Sequence, residues 1–142
     1  MGVGLVAENG TRYSAVWGHS FDHYGLEIFR EPMSSRLTMI GQPGGTPAVE
    51  VTGHPSWSRL VGVPLLGADI LWSESVDGLR IPVAVELRAP AATAWLVVGR
   101  PVEWPPDGRF YLATDDVMAV FTHEFAGAVG LPPGSGRTDR EE

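Results

Sequence analysis

The chain contains no cysteine and no lysine. The first absence removes disulfides, thiol catalysis and thiolate metal sites together, and makes the cytosol the expected compartment. The second leaves all ten basic residues as arginine, against 17 acidic ones, for a formal net charge of −7. No two arginines are adjacent, so no basic stripe follows a phosphate backbone, and nucleic acid is not an expected partner. Asparagine and glutamine occur once each, as Asn9 and Gln42. This bias towards Arg, Gly, Ala, Val and Pro fits a GC-rich bacterial genome. Charged residues make up 19% of the chain, below the usual share of about a quarter. Long apolar runs are also missing. None approaches the ~20 residues that a membrane-spanning helix needs, so a membrane is not an expected partner. Met1, Gly2, Val3, Gly4 and Leu5 supply neither the basic region nor the apolar core of a signal peptide.

Several catalytic signatures are absent too. There is no Gly-Lys-Ser/Thr phosphate loop, no Gly-x-Gly-x-x-Gly after a strand and no Gly-x-Ser-x-Gly nucleophile elbow. No cofactor is expected.

What is present points to a fold. A chain of 142 residues buries roughly 70% of its unfolded surface, enough for one ordinary core. Glycine and proline number 18 and 12. They punctuate the chain into short segments, which favours many strands and few helices. Residues 1–131 read as a single globular β-rich domain, and 132–142, opening with Pro132-Pro133-Gly134, as a disordered tail.

The middle of the chain is the most informative. Segments 68–76 and 79–87 flank Asp77-Gly78, a two-residue turn signal. A reversal there sets Val76 against Leu79, Glu74 against Ile81, Trp72 against Val83 and Ile70 against Val85. The other face pairs Ser75 with Arg80, Ser73 with Pro82 and Leu71 with Ala84. The register sorts residues by polarity, as a half-buried hairpin requires. A further reversal at 89–92 brings back 93–99, with Leu87 facing Ala94, Val85 facing Leu96 and Val83 facing Val98. The reverse face carries Leu71, Ala84, Trp95 and Val97, so another element is expected to cover part of it.

Weaker strands are expected at 12–17, 25–30, 36–40, 48–51 and 58–63, with turns at Asn9-Gly10 and Gly44-Gly45. A strand is expected at 109–113, after the turn Trp104-Pro105-Pro106-Asp107-Gly108. Segment 115–129 is compatible with strand or helix. A helix is favoured, because Thr114 or Asp115 can cap its start and Gly130 can follow its end. The expected fold is mostly β: an antiparallel sheet, sandwich or partly closed barrel, with one short C-terminal helix.

Candidate sites are few. His19 and His23, four residues apart with Asp22 between them, suit a metal only if a loop draws them together. In a strand the two histidines stand about 13 Å apart. No metal is favoured, and a polar turn is the simpler reading. His123-Glu124 resembles an acid–base pair, but neighbours on a helix diverge. His54 gains a role only if it meets His19 or His123. Asp115-Asp116 suits a helix start, where negative charge is stabilised. Glu74 lies on the apolar face near the turn. Trp17, Trp57, Trp72, Trp95 and Trp104 are read mainly as packing residues, although Trp57 and Trp104 sit beside prolines where a groove can form.

Three functions are consistent with these features. The first is a non-enzymatic, soluble bacterial interaction protein or homo-oligomer that uses apolar sheet surface, with a second copy or another protein as partner. The second is a small-ligand binder with an apolar pocket between sheet and helix. The third, a metal-dependent enzyme built on a histidine cluster, is least favoured. Catalytic and ligand-binding residues are not identified by sequence alone.

Overall fold

Gly78, at φ +75°, adopts the left-handed backbone that a tight reversal requires, and the strands on either side of it pair as the first two of the larger sheet. The computed structural model describes residues 2–18, 24–35, 48–74 and 78–131. Within these residues two antiparallel sheets form. The smaller contains β1 (Val3–Val6), β2 (Arg12–Gly18) and β3 (Gly25–Phe29), in that order. The larger contains β4 (Gly67–Glu74), β5 (Arg80–Ala89), β6 (Ala92–Pro101) and β7 (Phe110–Val120), also in sequence order. One short helix follows, α1 (His123–Ala128). The fold is mostly β with a single short C-terminal helix, and neither sheet closes into a barrel. No helix among the described residues is long and apolar enough to cross a membrane.

The meander has the expected order. Ile70 pairs with Val85 and Leu71 with Ala84, while Leu87 pairs with Ala94 and Val85 with Leu96. Beyond Leu71 the register shifts. Trp72 pairs with Pro82, Ser73 with Ile81 and Glu74 with Arg80. Trp72 therefore does not face Val83, and Glu74 does not face Ile81. Val83 is an extra residue in β5, a β-bulge. Pro82, beside it, has no N–H to give to a ladder and is at home at such an irregularity. Pairing of β5 with β6 ends at Ala84 and Val97, so Val83 does not face Val98.

The bulge changes which layer each side chain serves. Val85, Leu87, Leu96, Val98 and Val117 meet Ala15 and Leu26 of the smaller sheet, together with Trp57 and Leu60. Ile81, Val83, Ala84, Trp95, Val97 and Val120 meet Ala126, Val129 and Leu131 on the opposite side. Val83 has crossed to the helix side, whereas Trp72 keeps to the side of Ile70 by strand alternation. The helix and the segment after it are the cover that the apolar reverse face calls for.

Segment 115–129 divides. Its first part is strand, because Val98 pairs with Val117, Val97 with Met118 and Trp95 with Val120. The hydrogen-bonding edge of β6 outweighs local helix propensity there. The helix begins later, with Thr122 as its N-cap: its side-chain oxygen accepts from the Phe125 N–H at 3.2 Å. Thr114 and Asp115 cap nothing of the kind; they sit in a four-residue excursion between Leu112 and Val117, where β7 leaves the register. Residues 48–51 and 58–63 are not strands but turns and irregular chain. From that segment Trp57 reaches the core and packs edge-on against Phe121, with ring centres 4.9 Å apart. Segments 36–40 and 132–142, and the Gly44-Gly45 turn, lie outside the described residues.

Burial on both faces makes β6 the most sensitive strand. Leu96 is 0% exposed and Ile70, two strands away, is 53% exposed. Leu96→Ala is expected to cost roughly 2–5 kcal/mol in urea unfolding. Ile70→Ala should stay within about 1 kcal/mol of wild type. Equal losses for the two variants would contradict this arrangement.

Candidate functional site

The smaller sheet does not cover the larger one evenly. Its strands lie against β5, β6 and β7. Edge strand β4 projects past this cover, which is why Ile70 is half exposed although its neighbour Val85 is buried. The result is a row of alternating residues, Leu66, Ala68, Ile70 and Trp72, all exposed on one side of one strand. Leu66 is 71% and Trp72 42% exposed. Leu66 continues the line of the strand, donating its N–H to the Arg88 carbonyl at 2.7 Å.

The outer edges differ in how they are guarded. Edge strands invite pairing with other chains unless they are short, charged or bulged. The four residues of β1 make a short edge. In β7 the excursion at 113–116 carries Asp115 and Asp116, and Ala113 sits at φ +53°. Strand β4 has eight residues and its ladder irregularity lies in β5. Its one charge between Leu66 and Ser73 is Asp69, which ion-pairs with Arg88.

That ion pair belongs to a small polar cluster. Arg88 Nη1 also donates to Glu86 Oε1 at 3.2 Å, and Glu86 is 3% exposed. Gly67 lies opposite Arg88 in the ladder. A Cβ there would come within 2.6 Å of the guanidinium, so the missing side chain is what lets Arg88 lie across the strand. Asp69 first, and Glu86 second, accept hydrogen bonds from Arg88 and raise its pKa above the ordinary arginine value. The cross-strand neighbour of Glu86 is Trp95, whose buried Nε1 has no acceptor among the described residues.

A recess of about 420 Å³ opens where the β5–β6 turn, residues 55–59 and the start of α1 converge. Its walls are Pro55, Ser56, Arg59, Ala91, Ala92, Thr93, Phe121 and His123. It lies beside the helix–sheet contact rather than within it; that contact is filled by Ala126, Val129 and Leu131.

Of the histidine candidates, His54 and His123 lie among the described residues. His19, Asp22 and His23 lie outside the described residues. Among the described residues no three His, Asp or Glu side chains group closely enough for a metal. His54 is engaged in its own turn, where Nδ1 accepts from the Ser56 N–H at 3.2 Å. His123 instead leans edge-on against Trp95, with ring centres 5.2 Å apart. Glu124 follows it in the first turn of α1 and does not line the recess. Sequence reasoning missed Arg59, Arg88 and Thr93. Glu86 and Arg88 at alternate positions of one strand were the available signal for the ionic cluster.

A buried carboxylate is tolerated only with its cation, whereas an apolar pair of similar shape replaces both with little loss. Arg88→Met is therefore expected to lower the urea midpoint, and adding Glu86→Leu should restore part of it. A double variant as unstable as the sum of the two single ones would refute the coupling. Against models of protein families, curated proteins and solved structures the chain finds no match, so its function is read from its own residues.

Proposed function

We propose that the protein is an interaction module that self-associates through the exposed edge of β4, with a second copy of the chain as its partner. The observation that carries this reading is the exposed apolar row on a long edge strand, with the Arg80 guanidinium over the Trp72 ring at one end, 5.4 Å from the ring centre. Isolated exposed apolar side chains are common on any surface, but a continuous row on a long edge strand is not.

A second copy fits the row better than an unrelated strand because the row complements itself. An antiparallel pairing centred on Ile70 brings the two Ile70 side chains together. It also sets Ala68 of each copy against Trp72 of the other, a small residue opposite a large one. Such a contact is isologous and closes on itself as a dimer. The two four-stranded sheets would then run on as one sheet across the two-fold axis, with main-chain hydrogen bonds adding to apolar burial. Asp69 approaches the partner already neutralised by Arg88. The overall charge of −7 on each copy opposes association at long range, and salt screens that repulsion.

Light scattering coupled to size exclusion tests the reading. A dimer is expected whose population rises with concentration and with added salt. Ile70→Lys, at an exposed position, should give a folded monomer. A wild-type monomer at all concentrations, or a dimer that survives Ile70→Lys, would overturn the proposal.

A further inference from the structure

The recess at the β5–β6 turn has an unusual balance of charge. The protein carries 17 acidic residues against ten arginines, yet among the described residues no carboxylate lines this hollow. Among the described residues the ionisable groups in its wall are Arg59 and His123, accompanied by the hydroxyls of Ser56 and Thr93. The other four wall residues, Pro55, Ala91, Ala92 and Phe121, are apolar.

Among the described residues Arg59 shares with Arg12, Arg30, Arg80 and Arg100 the lack of a carboxylate partner, in contrast to the two ion-paired arginines. Arg88 is held by Asp69 and Glu86, and Arg109 by Asp107 and Glu103. The Arg59 backbone is nonetheless fixed, because it lies between Trp57 and Leu60, both anchored in the core. Phe121 is held in the same way by its edge-on contact with Trp57. The segments that carry the cationic and the apolar walls are thus both anchored in the core.

From this geometry we infer that the recess is a binding site for a small organic carboxylate with an apolar body. The guanidinium of Arg59 presents a planar fork that matches a carboxylate in two hydrogen bonds. Thr93 and Ser56 offer further donors at the rim. Phe121 and Pro55 receive the apolar part of the ligand. A volume of about 420 Å³ accommodates a compact single-ring acid, at the lower end of the range for small-molecule sites. This site needs no second copy of the chain and is independent of the self-association through β4.

Benzoate is a suitable probe, read by backbone and arginine side-chain NMR shifts. Benzoate should produce saturable shifts at Arg59, Thr93 and Phe121, with a dissociation constant on the order of 1 mM or tighter. Benzyl alcohol, which keeps the ring and loses the charge, should shift these signals at least tenfold less tightly. Acetate, which keeps the charge and loses the ring, should also bind more weakly. Arg59→Ala should weaken benzoate tenfold or more while leaving the thermal unfolding of this exposed position unchanged, and Thr93→Val should weaken it severalfold. Absence of saturable shifts with benzoate, equal binding of benzyl alcohol, or unchanged affinity in Arg59→Ala would each overturn the inference.

Discussion

The fold depends on a strand that has no wet side. Leu96 and Val98 of β6 point to the smaller sheet, while Trp95 and Val97 point to the helix layer. A strand buried on both faces reads as a nearly continuous apolar run, and its polar backbone must be paired on both edges. Strands β5 and β7 supply that pairing. The need to pair the second edge explains why residues 117–120 extend as strand, although the surrounding segment also carries helix-ending signals. The two apolar layers on either side follow from the same requirement. One is built from the small sheet and the inserted Trp57, the other from α1 and Leu131.

Coverage of this central strand is complete, but coverage of the sheet is not. Three short strands cannot span four longer ones, and the shortfall falls on β4. Its exposed apolar row is a by-product of where the smaller sheet sits. The proposed self-association gives that row a use, since pairing would remove both the open edge and the exposed surface at once. The recess has a different origin. It forms where three connecting segments meet at one end of the sheet, and its chemistry comes from Arg59 and Thr93, which stand next to core-anchored neighbours.

Much of the central meander was legible because alternation and a glycine turn act over short distances. Ile70 with Val85, and Leu87 with Ala94, follow from counting outward from Gly78 and from the reversal at 90–91. The count fails at Val83, since a bulge depends on how Pro82 is accommodated between two layers and has no signature in alternation alone. Strand β1 went unread because Val3, Gly4, Leu5 and Val6 form too short a run to show a period. Segment 115–129 misled for another reason: capping signals describe where a helix ends, not how far back it reaches. The site residues were less legible still. Arg59 and His123 lie 64 positions apart in the chain, and only the packing of Trp57 against Phe121 brings their segments to one hollow. The Arg88 cluster was hidden because its partner on β4 becomes a neighbour only once the hairpin forms.

The extra residue at position 83 lets β5 work for two masters. Ahead of it, the odd-numbered side chains Ile81 and Val83 feed the helical layer; after it, Val85 and Leu87 feed the layer beneath the small sheet. Without the bulge, strict alternation back from Val85 would turn both Val83 and Ile81 over to the side where Trp72 lies. The shelf on which Val129 and Leu131 rest would lose its floor, so the chain's last helix owes its seat to an irregularity more than forty residues upstream.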